Sequence, residues 1–252
     1  MTDYCLLQFS IEAGVAHIQL NRPEKKNAIN ELLIHEIEDV FTRLSKDVSV
    51  VVMSGNGNDF CSGLDLAEHK SRSPFETANH SRLWHRVFSL IENSGVPVIA
   101  ALQGAVIGGG LELATCAHIR IADETTYFCL PEGRHGIFVG GGASVRVARI
   151  IGAGRMAEMM LTGRVYNAAD GERLGFVHYI VPKSESLSKA FEVAAIVSKN
   201  AKISNWAMVT GLSRIESMSR DDGYYTESLI TALTQSDVEV TERIGSFINR
   251  KK

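Results

Sequence analysis

The order of apolar and polar positions divides the chain into short, distinct segments. In LLQFSIEAGVAHIQL two alternating stretches flank Glu12–Gly14, which predicts two short strands joined by a turn and stopped at Asn21-Arg22-Pro23. The period then lengthens. Asn30 is placed to cap a helix through NELLIHEIEDVFTRLSKD, with Leu33, Ile37, Val40, Phe41 and Leu44 on one face. VSVVVMSG is a continuous apolar run of the kind expected of a strand buried on both faces, and GNGND stops it. After FCSGLDL the polar stretch from Glu68 to Asn79 predicts a surface loop with a short helix; SRLWHRVFSLIENSG is helical and VPVIAALQG is a second buried strand. A helix begins at the glycines of GGGLELATCAH, IRIADE is a third strand and TYFCLPEG a short fourth. From Ser144 helices dominate, at Val145–Gly152, Arg155–Thr162, Ala168–Leu174, Glu185–Asn200, Ser204–Ser219 and Asp222–Thr234. Strands alternating with helices imply an α/β core built on a parallel sheet with right-handed crossovers. No period of about 20 to 50 residues recurs, which excludes repeat folds.

Composition narrows the function classes. A chain of 252 residues with 45% hydrophobic and 22% charged content suits one large domain or two small ones with a sizeable core. The formal charge of -3 gives no field for nucleic acid or an anionic membrane, and Arg250, Lys251 and Lys252 form a small solvated tail. Cys5, Cys61, Cys116 and Cys129 show neither CxxC pairing nor metal-finger spacing, so reduced thiols of a cytosolic protein and no metal site are expected. The N-terminal residues lack the basic-then-apolar order of a signal peptide, and no run of about eighteen apolar residues predicts a membrane span. The expectation is a cytoplasmic, soluble protein.

Several motifs offer chemistry. GAGRMA, Gly152–Ala157, matches the loose form of a dinucleotide loop, but that motif needs a strand before it, and SVRVARIIG reads as helix. The triple glycine Gly108–Gly110 has no Lys-Ser/Thr after it and is no phosphate loop. Ser144 lacks the closing glycine of a nucleophile elbow, and His118, on an apolar segment, reads as a hydrogen-bonded core histidine. What remains is a pair of glutamates in apolar company, where a carboxylate is costly unless it is hydrogen-bonded, paired or protonated. Glu112 follows the glycines in the first turn of its helix, and Glu132 stands at the end of a sheet strand. Unpaired N–H groups at a glycine-rich helix start can hold an oxygen that becomes negative during reaction. FCSGLDL, with Gly63 and Asp65, offers a second such turn. Either glutamate alone would read as a capping or salt-bridging residue. Two acids beside two sets of donors suit proton transfer next to an activated carbonyl.

These segments resemble the crotonase, or enoyl-CoA hydratase/isomerase, superfamily. LNRPEKKNAI is similar to its N-terminal signature, FCSGLDL to its first oxyanion loop, AALQGAVIGGGLELATCAHIRIADE to its central signature, and PEGRHGI and LTGRVYNAADGERLGFVHYIVP to its later pattern. The resemblance implies a spiral of ββα units over residues 1–195 and a C-terminal helical region, 196–252, that packs a trimer or a dimer of trimers. It implies an oxyanion hole made by the N–H groups of Leu64 and Gly109 around the thioester carbonyl of an acyl-CoA. Glu112 and Glu132 match the hydratase glutamates that hold a water, and Gly140 matches a glycine whose amide helps to place it. Lys25, Ala28, Leu64, Asp65, Leu66 and Ala67, with Gly109, match positions lining the coenzyme A channel. No cofactor beyond coenzyme A, carried as part of the substrate, is implied. The implied reaction is hydration of a 2-enoyl-CoA; isomerase, hydratase-lyase, dehydratase, decarboxylase and hydrolase chemistry share the scaffold, as does a non-catalytic member that binds protein or RNA. Three positions depart from the pattern: His135 for an aliphatic residue, Val139 for proline and Ala143 for glycine. His135 either enters the pocket and tunes Glu132 or packs beside it. The segment Glu68–Phe88, with His69, His80, Trp84 and His85, matches the region shaping the acyl pocket, and Tyr224 and Tyr225 could add to it.

Overall fold

The computed structural model describes residues 4–68 and 71–249; His69 and the basic tail 250–252 lie outside the described residues. The first two strands, β1 (Leu7–Glu12) and β2 (Val15–Leu20), form the expected hairpin, with Ala13 and Gly14 both at positive φ in its turn. Helix α1 (Glu31–Thr42) starts where Asn30 accepts the Leu33 N–H at 3.0 Å, and buries Leu33, Ile34, Ile37, Val40 and Phe41. Such side chains contribute about 1.5–3 kcal/mol each when fully buried.

The unbroken apolar run becomes β3 (Val50–Gly55), parallel to β2 on one side and to β4 (Val98–Leu102) on the other. With β6 (Ile119–Asp123) and β9 (Tyr179–Val181) these give a sheet ordered β1-β2-β3-β4-β6-β9, antiparallel only at the β1–β2 hairpin. Both faces of the centre are covered, which is why alternation is lost there. Val51 and Met53 face the main core with α1, whereas Val50, Val52, Ile99 and Ile121 meet Ala190, Val193 and Ala194 of helix α7 (Ser186–Val197).

A second sheet, β5-β7-β8, was not legible as such in the sequence. Its middle strand, β7 (Tyr127–Cys129), is the expected short fourth strand, whereas β5 (Ala105–Ile107) and β8 (Tyr166–Asn167) are too short to show a period. Helix α3 (Gly109–Ala114) leaves the end of β5, so this small sheet carries the glycine turn.

Two expectations about helices need correction. The expected short helix before Asn79 is not separate: Ser73 and Glu76 form a reciprocal capping box, and one helix, α2, runs from Pro74 to Glu92. The helices α4 (Ala143–Ile151), α5 (Ala153–Thr162), α6 (Ala168–Leu174), α8 (Lys202–Ile215) and α9 (Arg220–Gln235) follow the expected series, but α10 (Val238–Asn249) extends it beyond Thr234. Gly152 joins α4 directly to α5, with no strand before it, so GAGRMA is a helix–helix corner rather than a dinucleotide loop. Ser144 lies in the first turn of α4. His118 is the core histidine expected, its Nδ1 accepting the Val98 N–H at 3.0 Å and its Nε2 3.2 Å from the Glu92 carbonyl. Helix α9 packs against α8, leaving Tyr224 and Tyr225 exposed. Among the described residues no helix is long and apolar enough to cross a membrane.

Candidate active site

Two backbone turns meet at the end of β5. Cys61 bridges to Val106, the Cys61 N–H donating to the Ala105 carbonyl at 2.9 Å and the Cys61 carbonyl accepting the Ile107 N–H at 3.1 Å. This pairing carries Gly63 and Leu64 against Gly108 and Gly109. Gly63 has φ +94 and Gly108 φ +51, conformations that a side chain would strain. A Cβ at Gly63 would lie 2.7 Å from the Ile107 carbonyl oxygen, and one at Gly109 2.7 Å from Trp84 Cζ3 and 3.4 Å from Leu64 N. The N–H groups of Leu64 and Gly109 therefore sit side by side, and neither has an acceptor among the described residues. Paired free amides in a buried turn are donors arranged for an anionic oxygen.

Glu112 and Glu132 converge beside them, with exposures of 3% and 7%. Glu112 Oε1 accepts the Gly141 N–H at 2.8 Å and the Ala143 N–H at 2.9 Å. Burial lifts its pKa above the ordinary carboxylate value, while those amides, Arg146 and His85 pull it back down. Glu132 does not end a strand as expected. It opens a 3-10 turn, Glu132–His135, three residues past β7, which swings it over the glycines: a Cβ on Gly108 would stand 3.1 Å from Glu132 Oε1. Its Oε2 is buried with no hydrogen-bond partner among the described residues. Burial pushes its pKa up to about 7, its own backbone opposing and the Glu112 charge adding. The two acids thus differ in environment. Glu112 has donors that favour its ionised form, and Glu132 has none from the other described residues.

The remaining expected positions are distributed around this centre. Asp65 turns its buried carboxylate inward to Arg22 at 2.6 Å, and Arg22 also reaches Glu68 at 2.7 Å, so the loop of Leu64 is pinned from behind. Leu64, Asp65 and Ala67 line a cleft of about 340 Å³ together with Arg72 and His80, whereas Lys25 and Leu66 are exposed nearby and Ala28 is buried beneath. Gly140 gives its carbonyl to Ser81 Oγ at 2.6 Å, and it is the next residue, Gly141, whose amide reaches Glu112. His135 ends the 3-10 turn that Glu132 opens and is exposed, with no hydrogen bond among those described. On α2, Trp84 closes over Gly109 and Gly141, and His80 leans on Trp84 with ring centroids 6.0 Å apart. Ala143, the departure from glycine, is the donor at the first position of α4, where a methyl is tolerated. The Gly141 and Ala143 donors were missed in the sequence; the glycine run Gly140–Gly142 before a helix was the available signal.

A spiral of β-strands and helices that presents paired free amides and two buried acids defines an enolate-stabilising enzyme scaffold. The family model described as enoyl-CoA hydratase/isomerase matches residues 10–252, and the chain belongs to that family. It is similar to the short-chain-enoyl-CoA hydratase of Clostridium acetobutylicum, at 30% identity over 244 residues, 96% of this chain and 94% of that one. The crotonyl-CoA hydratase of Syntrophomonas wolfei is 33% identical over 221 residues, 83% and 85% of the two chains. A solved structure from Rhodopseudomonas palustris, assigned as an enoyl-CoA hydratase, superposes with a TM-score of 0.96 at 46% identity, covering 100% of this chain and 97% of that one. Family membership implies an acyl-CoA thioester substrate.

Proposed function

We propose that this protein hydrates a 2-enoyl-CoA to the 3-hydroxyacyl-CoA. The observation that carries the reading is the asymmetry of two buried glutamates beside two free amides. Glu112, its Oε1 held by two N–H groups, accepts a proton from water as the water oxygen bonds to C3. The thioester oxygen, becoming anionic as the double-bond electrons move toward the carbonyl, accepts from Leu64 and Gly109 N–H. Each such donor contributes about 3 kcal/mol to lowering the barrier. Glu132, held near pKa 7, gives its proton to C2. Water is thereby added across the double bond, and transfer of a proton from Glu112 to Glu132 restores the pair.

Lys25, Ala28 and the loop 64–67 border the coenzyme A channel in this reading, and the Gly140 amide helps to place the water. We further infer a trimer or a dimer of trimers built through residues 196–252. The apolar side chains left exposed on the helices, Leu212, Leu229 and Val238 among them, support that assembly. The cytoplasm is the compartment inferred, supported by four free cysteines, three of them buried. The test is the loss of conjugated-thioester absorbance on adding the protein to crotonyl-CoA and to a phenylpropenoyl-CoA, beside Glu132→Gln. Loss that vanishes in the variant supports hydration; tight binding without loss transfers the reading to isomerase or hydrolase chemistry, or to a non-catalytic binder.

A further inference from the structure

Arg146 stands one turn into α4, beside Glu112, and the reaction as written assigns it nothing. Its Nη2 donates to the Gly141 carbonyl in a short contact and lies 3.4 Å from the Glu112 carbonyl; its Nη1 is 3.3 Å from Glu92 Oε2. The guanidinium also lies 5.7 Å from the centre of the Phe88 ring. A Cβ at Gly142 would fall 2.7 Å from Nη1 and 2.8 Å from Nη2, so a glycine, at φ +105, is what allows the planar group to lie across the loop. Its Nε is buried with no partner among the described residues. A guanidinium that leaves one donor unsatisfied is held where its other donors are needed.

The two carbonyls belong to different segments. One is on α3, which carries Glu112, and the other is on the glycine loop whose next amides face Glu112. Gly141 is therefore held at both ends: its N–H by Glu112 Oε1 and its carbonyl by Arg146. We propose that Arg146 is a positioning residue for Glu112, clamping α3 to the Gly140–Gly142 loop so that the Gly141 and Ala143 amides stay on Oε1. With Oε1 so occupied, Oε2 is the oxygen left for water. The consequence for turnover rests on the hydratase reading; the clamp itself does not.

Lysine separates the clamp from mere charge. A single ammonium keeps the positive charge but cannot span two carbonyls and a carboxylate in one plane. The other charged and titratable groups around Glu112 are His85 from α2, Glu132 from the 3-10 turn, Cys116 in the turn after α3, and Glu92 behind Arg146. All of them are unchanged in Arg146→Lys and Arg146→Gln.

The experiment follows the protonated-carboxyl band of Glu112 by infrared difference spectroscopy across pH, the band being identified by its absence in Glu112→Gln. Wild type, Arg146→Lys and Arg146→Gln are compared, with kcat and KM for crotonyl-CoA measured alongside. The clamp predicts that the Glu112 titration moves up by about one pH unit in both variants as the amides are lost. It also predicts kcat down about tenfold or more, with KM nearly unchanged. Arg146→Lys that titrates and turns over like wild type overturns it, because charge alone would then suffice. Should Arg146→Gln fail to fold, the lysine variant decides, since it keeps the charge and most of the packing. If wild type does not hydrate crotonyl-CoA, the hydratase reading falls while the infrared titration still decides the clamp.

Discussion

Glu132 makes a prediction that links catalysis to stability. A carboxyl held at about 7 in the folded chain, against an ordinary value of 4.5, is destabilised in its ionised form by about 3 kcal/mol. Below about pH 4.5 folded and unfolded chains both keep the proton, and the residue is neutral to stability. Between that point and about pH 7 the unfolded chain ionises first, so stability falls as pH rises, and above about pH 7 the full difference is lost. Glu132→Gln removes the ionisation while keeping the shape, and its amide leaves the same buried position without a partner, so that contribution cancels. The variant is expected to match wild type in unfolding free energy near about pH 3.5 and to exceed it by about 3 kcal/mol near about pH 9. Its turnover should fall at least about a hundredfold. The assay is urea unfolding across pH at one protein concentration, so that any assembly contributes equally to both proteins. A stability difference between the two proteins that stays constant with pH would show that Glu132 is not held protonated, and the assignment of acid and base would fail with it.

Three further outcomes follow from single contacts. Gly141→Ala places a Cβ 2.7 Å from Glu112 Oε2 and 3.0 Å from Trp84 Cε3, so kcat should drop about a hundredfold, with coenzyme A-ester affinity largely kept, as read by steady-state kinetics and calorimetry. Asp65→Ala strips a buried guanidinium of its 2.6 Å partner; a loss of about 3 kcal/mol, seen by chemical unfolding, and weaker acyl-CoA binding are expected. His118, lowered to about 4 by burial from its ordinary 6.5, resists protonation in the folded chain. Stability should therefore decline as pH falls through that window, by up to about 3 kcal/mol, and His118→Gln should flatten the acid side of the melting-temperature profile.

The local grammar of the chain was legible without a structure. The hairpin turn at Glu12–Gly14, the Asn30 cap and the α6 span Ala168–Leu174 all fall where short-range chemistry puts them. A turn needs particular dihedrals, a cap needs one acceptor, and a helix needs its period; each is written within a few residues. The capping box of Ser73 and Glu76 was equally local, but the polar surface of the first turns of α2 masked where the helix starts. The strands β5, β8 and β9 have two or three residues apiece, too few for any pattern, and they exist because neighbouring strands receive their hydrogen bonds.

The site divides in the same way. That two glutamates and two glycine turns belonged together could be argued from their types and order, since buried acids demand partners. Which partners they have could not. Glu112 meets Gly141 and Ala143 across 29 and 31 residues of chain, and Arg146 joins the carbonyls of Glu112 and Gly141, because α3 and α4 pack side by side. Glu132 is left with an unpaired oxygen because a 3-10 turn, not a strand, carries it over Gly108. The same turn ends at His135, which is exposed. Sequence by itself determined which groups could do the chemistry; the packing of distant segments decided which acid receives hydrogen bonds and which has its pKa pushed up by burial, since desolvation and hydrogen-bond geometry exist only once those segments meet.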